Sequence, residues 1–196
     1  MDGSIFRWFN RLANRTGWAH GFFTAYAQYG IVLFALLLCV AYLDGRQHGD
    51  LRAVSGSVWA ACAAVIALGI GQIIGGAIDR ARPYETMTGI HLLVDRTSDF
   101  SIPSDHATAA GAVAVGLLFA NRRWGRIAAA LALLMAFTRV YVGAHYPGDV
   151  LAGLLLGGAV AAIGWFVIVP TLVRIADWLS RSRARVVVTS MTATPI

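Results

Sequence analysis

The chain has 196 residues, of which 58% are hydrophobic and only 13% charged, with a formal net charge of +6. That balance excludes an ordinary soluble domain and describes an integral membrane protein. All 16 basic residues are arginines, scattered over segment ends instead of sharing one face with interleaved aromatics, which argues against a nucleic-acid partner.

Residues 1–21 read as an amphipathic interfacial helix. Ile5, Trp8, Phe9 and Leu12 recur at helical spacing on one face, while Arg7, Asn10, Arg11 and Asn14 take the other. A charged and aromatic leader without a small-residue cleavage site does not read as a cleaved signal peptide. Five stretches then approach the length of about 20 apolar residues that a bilayer-spanning helix needs. They cover residues 22–43, 54–78, 104–120, 127–143 and 147–173, the third and fourth being short. The expected fold is therefore all-α, a membrane helical bundle of about five transmembrane helices plus the interfacial helix. The membrane-embedded unit runs over 22–173, and the basic segment 174–196 is expected to be disordered. Cys39 and Cys62 fall inside apolar runs without metal-type spacing and read as small buried hydrophobes.

Five spans place the amino terminus, the 79–103 loop and the turn before Pro147 on one side of the membrane. The 44–53 loop, the 121–126 loop and the tail lie on the other. Arg7, Arg11, Arg15, Arg80, Arg82 and Arg96 are on the first side, against Arg46, Arg52, Arg122, Arg123, Arg126, Arg174, Arg181, Arg183 and Arg185 on the second. By the positive-inside rule the first side faces outward.

Three clusters on that first side carry the chemistry: Arg82-Pro83, then Pro103-Ser104-Asp105-His106, then Thr138-Arg139 followed by His145 and Asp149. Pro147 suits the first turn of a helix, so Asp149 is expected to reach back to His145 and fix its tautomer. A neutral histidine nitrogen so held can attack phosphorus and form a phosphohistidine. Arg139, near the end of the fourth span, needs an anion or a wet cavity, because an unpaired guanidinium in hydrocarbon costs several kcal/mol. Arg82 supplies a second planar fork for phosphate oxygens. The second cluster opens a helix, whose free N–H groups attract phosphate. Ser104 can donate another bond there, or it and Asp105 can simply cap the helix. His106, when protonated, can act as general acid toward the leaving oxygen. The scheme requires no metal and no cofactor. Arg80 and Arg96 read as loop charges facing headgroups, with a place beside Arg82 and Arg139 on the phosphate as the alternative, and His20, His48 and His91 read as interfacial residues.

In order and spacing these clusters resemble the type 2 phosphatidic acid phosphatase superfamily, with its Lys-x6-Arg-Pro, Pro-Ser-Gly-His and Ser-Arg-x5-His-x3-Asp motifs. The resemblance implies that Arg82 and Arg139 bind phosphate, assisted by Ser104, with His106 as acid, His145 as nucleophile and Asp149 as its partner. Three positions depart from the pattern: Gly75 stands at the lysine, Asp105 at the motif glycine and Thr138 at the serine. Asp105 is grouped with the phosphate-binding residues, where a carboxylate must turn away or orient a charged neighbour. The Asp form of the second motif, the amphipathic leader and the short length look most like the bacitracin-resistance branch of undecaprenyl pyrophosphate phosphatases. That likeness implies a polyprenyl-pyrophosphate lipid substrate, cleaved at the outer face of the bacterial plasma membrane. A phosphatidylglycerophosphate or phosphatidic acid phosphatase, and a non-catalytic lipid-phosphate binder, remain open alternatives.

Overall fold

Hydrocarbon offers the backbone no hydrogen-bond partner, so each span must close its N–H and C=O groups internally, and helices result. The computed structural model describes residues 2–189, and every regular element among them is helical. α1 (Asp2–Arg15) leads through a 3-10 turn at Gly17–Ala19 into α2 (His20–Gln47), and a tight turn then gives α3 (Leu51–Ile78). A long loop carrying the short α4 (Pro83–Thr86) precedes α5 (Asp105–Ala120), α6 (Arg122–Tyr141), α7 (Pro147–Val167) and α8 (Val169–Ser180).

The five expected spans are α2, α3, α5, α6 and α7. Three of them, α2, α3 and α7, are long and apolar enough to cross a membrane unaided, and α5 is a shorter apolar helix. Side-chain caps set two of the starts. Asp50 accepts from the backbone N–H groups of Arg52 and Ala53 at α3, and Asn121 does the same for Arg123 and Trp124 at α6.

α5 is the central helix and packs on α3, α6 and α7. Its composition explains the placement: Ala107, Ala110, Ala112, Val113 and Leu117 are all buried, so it is apolar on every side. Small residues let the backbones nearly touch. A Cβ on Gly157 of α7 would lie 2.0 Å from the carbonyl oxygen of Thr108 on α5, so no other residue fits without parting the helices. This contact aligns the amino-terminal ends of α5 and α7, which are joined by the Ser104 N–H donating to the Asp149 carbonyl at 3.0 Å. Two positive helix ends therefore meet on one side of the bundle.

Cys39 and Cys62, expected to be buried, are exposed on the outside of the bundle, and three further expectations are corrected. First, α1 buries Phe6, Asn10 and Ala13 and leaves Ile5 and Trp8 exposed. Asn10 can go inside because its amide serves the His91 backbone in both directions, donating to the carbonyl at 2.8 Å and accepting from the N–H at 3.1 Å. Second, the last span ends at Val167 instead of Val173. Pro170 lacks the N–H that a continued ladder needs, so the chain turns at Ile168 and restarts as α8. Third, residues 174–189 are folded: α8 is followed by a 3-10 turn at Arg183–Val187, and Val188 is buried with Val54 and Ala176. Tyr42 and Arg46 of α2 donate to the Val187 and Val186 carbonyls, which ties this segment to the bundle. The remainder of the expected disordered tail, residues 190–196, lies outside the described residues.

Candidate active site

The three clusters converge at the end of the bundle where α5 and α7 begin. Pro83 and Pro147 each occupy a first helical turn, where a missing N–H costs nothing, and so fix Arg82 and Tyr146 as the preceding caps. The Glu85 carboxylate accepts the Arg82 N–H at 2.9 Å, and the Asp149 carboxylate accepts that of Tyr146 at the same distance. Local sequence thus sets the backbone on both sides of the site.

A cavity of about 660 Å³ opens here, with Arg82, His106 and Arg139 in its wall. Thr24, Ala27 and Gln28 of α2, the loop residues Leu92, Leu93, Val94, Asp95 and Thr97, and Ala144 complete the lining. Arg139 is 8% exposed, donates at 3.4 Å to the Ala27 carbonyl, and leaves its Nε without a partner among the described residues. The expected wet cavity, rather than a carboxylate, receives this charge. Arg82 is almost fully buried and is held on one edge by Asp99, whose backbone and carboxylate oxygens accept at 3.3 and 2.9 Å. Asp99 stays below its ordinary value: burial opposes this, but the Thr97 hydroxyl and the Arg82 charge outweigh it.

His145 lies just behind Arg82, in the turn between α6 and α7. Its Nδ1–H donates to the Ser101 carbonyl at 2.8 Å, which leaves the Nε2 lone pair to accept from Arg82 Nη1 at 3.1 Å. Burial, reinforced by the positive charges of Arg139 and Arg82, holds the imidazole well below its ordinary pKa, so the ring is neutral at physiological pH. The Nε2 lone pair is thus turned toward the guanidinium of Arg82.

Ser104 is the α5 cap by backbone only. Its hydroxyl makes no capping bond, is wholly buried, and has no partner among the described residues. Capping therefore does not account for this side chain. Thr138 Oγ1, at the serine position of the third motif, is likewise buried and unpartnered.

Several placements differ from expectation. Asp149 stands 3.9 Å from His145 Nδ1 and instead accepts from Ser101 Oγ at 2.5 Å and from Arg80 Nη1 at 2.6 Å. The Ser101 carbonyl holds the ring, and Asp149 holds Ser101. Asp105 turns to α3, where Gln72 Nε2 donates to both carboxylate oxygens at 3.1 and 3.0 Å, so it is not arranged as a phosphate contact. Arg80 is an internal bridge and not a loop charge facing headgroups. Ser101 carries no motif signal, because it acts through its carbonyl as well as its hydroxyl, and any residue type has a carbonyl. At Gly75, a Cβ would meet Phe100 at 3.0 Å and the Ile102 carbonyl at 3.1 Å, so Phe100 packs where a lysine stem would run.

Comparison with known proteins identifies the family. The chain is 31% identical over 156 residues to undecaprenyl-diphosphatase BcrC of Bacillus subtilis (strain 168), covering 80% of this chain and 78% of that one. It is 36% identical over 134 residues to the decaprenylphosphoryl-5-phosphoribose phosphatase of Mycobacterium tuberculosis (strain ATCC 25618 / H37Rv), covering 68% and 69% of the two chains. The crystal structure of LpxE from Aquifex aeolicus superposes with a TM-score of 0.62 at 25% identity, covering 82% of this chain and 92% of that one. The model of the PAP2 superfamily matches residues 56–172, a stretch that contains Arg82, Ser104, His106, Arg139, His145 and Asp149. This multi-pass membrane protein therefore belongs to the PAP2 superfamily.

Proposed function

We propose that the protein is a membrane phosphatase that hydrolyses a polyprenyl diphosphate to the monophosphate and inorganic phosphate. The observation that carries this reading is the Nε2 lone pair of neutral His145 directed at Arg82, which lines a cavity together with Arg139 and His106. Nε2 attacks the terminal phosphorus while the bond to the bridging oxygen breaks, and that oxygen takes a proton from His106. Arg82, Arg139, the Ser104 hydroxyl and the first N–H groups of α5 neutralise the equatorial oxygens as charge builds. The anion lying between two guanidiniums is also the counter-charge against which an imidazolium at His106 is stable. Water then cleaves the N–P bond, with His106 taking its proton. Every charge in the sequence of steps is met by a side chain or a backbone N–H, so turnover needs no metal.

The polyprenyl assignment rests on the curated relatives and on the apolar share of the cavity wall, where Ala27, Leu92, Leu93, Val94 and Ala144 would suit an isoprenoid stem. The test gives purified protein undecaprenyl diphosphate, phosphatidic acid and phosphatidylglycerophosphate side by side and measures released phosphate. A preference for the glycerophospholipids overturns the lipid assignment, and binding without turnover of any of them overturns the enzyme.

The arginine distribution supports an active site on the extracytoplasmic side of a bacterial plasma membrane. A single cysteine introduced at Asp95 in a Cys39→Ser, Cys62→Ser background should react with an impermeant maleimide on intact cells. Labelling only after lysis reverses the orientation.

A further inference from the structure

Resting on the reading of His145 as nucleophile, we propose that Arg80, clamped by Asp2 of α1, is a positioning residue for the reaction. Through Asp149 and Ser101 it fixes the His145 imidazole, so the docking of the interfacial helix sets the competence of the site.

The geometry is a continuous chain of short polar contacts. Arg80 Nη1 lies 2.6 Å from Asp149 Oδ1, and Nη2 lies 2.6 Å from Asp2 Oδ2. The guanidinium is seated 4.2 Å over the Tyr146 ring. Asp2 uses its other oxygen to accept the Gly148 N–H at 2.9 Å, in the first turn of α7, so α1 grips both Arg80 and the helix that begins beside His145. On the far side, Asp149 Oδ2 accepts the Ser101 hydroxyl at 2.5 Å, and the Ser101 carbonyl accepts His145 Nδ1–H at 2.8 Å. Asp149 is wholly buried, and a carboxylate there without its cation would be an uncompensated charge, which is strongly destabilising. Arg80 therefore decides whether Asp149 can remain an acceptor for Ser101.

Two features assign Arg80 to positioning. Both of its terminal nitrogens are already engaged, Nη1 by Asp149 and Nη2 by Asp2, so it acts through other groups. It also bridges two carboxylates with its two terminal nitrogens, which a planar fork can do and a lysine ammonium on a flexible stem cannot do in the same geometry. The bridge links the catalytic turn to a helix that exposes Ile5 and Trp8 on the side turned away from the bundle. Displacing α1 removes the clamp and loosens the nucleophile.

The experiment uses the full chain in phospholipid nanodiscs, with Asp2→Asn, Arg80→Lys, Arg80→Gln and the Asp2→Asn/Arg80→Gln double variant. Asp2→Asn and Arg80→Lys should each lower kcat on undecaprenyl diphosphate by on the order of tenfold with KM within about twofold, the pattern of a lost supporting contact. The double variant should be no slower than Arg80→Gln, since the two residues act in series. Histidine-specific nitrogen-15 spectra supply a readout that needs no turnover. The Nδ1-protonated signal of His145, assigned by its loss in His145→Ala, should give way to a tautomer mixture in Asp2→Asn and Arg80→Lys. Asp2 is partly exposed and Asn is its isostere, so this variant folds even where Arg80→Gln does not. An unchanged His145 spectrum in both variants, or additive losses in the double variant, overturns the proposal. Wild-type protein that turns over no lipid phosphate overturns the functional reading instead, and the spectra still decide the relay.

Discussion

Ser101 presents its carbonyl oxygen to Nδ1 of His145 at 2.8 Å, while Asp149, four residues further on, stands 3.9 Å from the same nitrogen. The tautomer of the imidazole is thus set by a backbone group. Asp149 contributes one step removed, by holding the Ser101 hydroxyl and the Tyr146 N–H.

The two residues should consequently fail differently. His145→Ala removes the attacking atom and should lower kcat by about four orders of magnitude or more. Asp149→Asn leaves the ring on the Ser101 carbonyl and should cost on the order of 10- to 100-fold. Reactions with terminally labelled substrate, quenched in alkaline detergent because the N–P bond is acid-labile, should trap phosphohistidine in wild type and Asp149→Asn, and none in His145→Ala. Equal losses in the two variants would return Asp149 to direct contact with the ring.

His106→Ala should slow substrates with poor leaving groups far more than those with good ones, because only the former need a proton delivered. Rates across a series of aryl phosphates of graded leaving-group acidity would measure this. A uniform drop across the series removes His106 from the acid role.

In the proposed scheme arginines, Ser104 and helix N–H groups meet the transition-state charge, so activity should persist in excess chelator at an undiminished rate. Phosphate release with and without chelator, followed by readdition of magnesium or zinc, is the measurement. Strict dependence on the readded ion contradicts the scheme.

Gly75→Lys, which restores the family's residue type, should not improve turnover here. Its Cβ would come within 3.0 Å of Phe100 and 3.1 Å of the Ile102 carbonyl, tighter than ordinary packing allows. The single variant should melt earlier and turn over more slowly, and adding Phe100→Ala should recover part of both losses. A faster Gly75→Lys enzyme would show that Phe100 moves aside readily.

Stability should fall with acidity on account of His145. Folding depresses its pKa, so below about pH 6.5 the unfolded chain takes up a proton that the folded one does not. The contribution is fully present above pH 6.5 and is lost progressively as pH drops below it. Thermal melts in detergent between pH 7.5 and 5 should show a smaller drop for His145→Gln than for wild type. An identical drop in both would mean that the acid sensitivity lies in other groups.

Much of the architecture was legible along the chain because membrane helices answer to one local variable, the length of an apolar run. The start at Pro147 was also read, since a first-turn proline acts locally, whereas the helices capped by Asp50 and Asn121 begin ahead of the expected 54 and 127 because their polar first turns carry no apolar signal. The stop at Val167 was readable in principle from Pro170 but was masked by the apolar residues continuing to Val173. The inward face of α1 was not readable: Asn10 is buried only because the His91 backbone, 81 positions away, satisfies its amide.

The site divides in the same way. Arg82, Ser104, His106, Arg139 and His145 stand out as candidates by residue type and spacing, because few side chains can grip or attack phosphorus and a membrane tolerates them only for a reason. Tertiary structure alone decided that Asp105 faces Gln72, that Phe100 occupies the place beside Gly75, and that Asp2 and Asp149 share Arg80. Those outcomes depend on distances between segments far apart in the chain, and a buried charge settles on whichever partner the packing brings within hydrogen-bond reach.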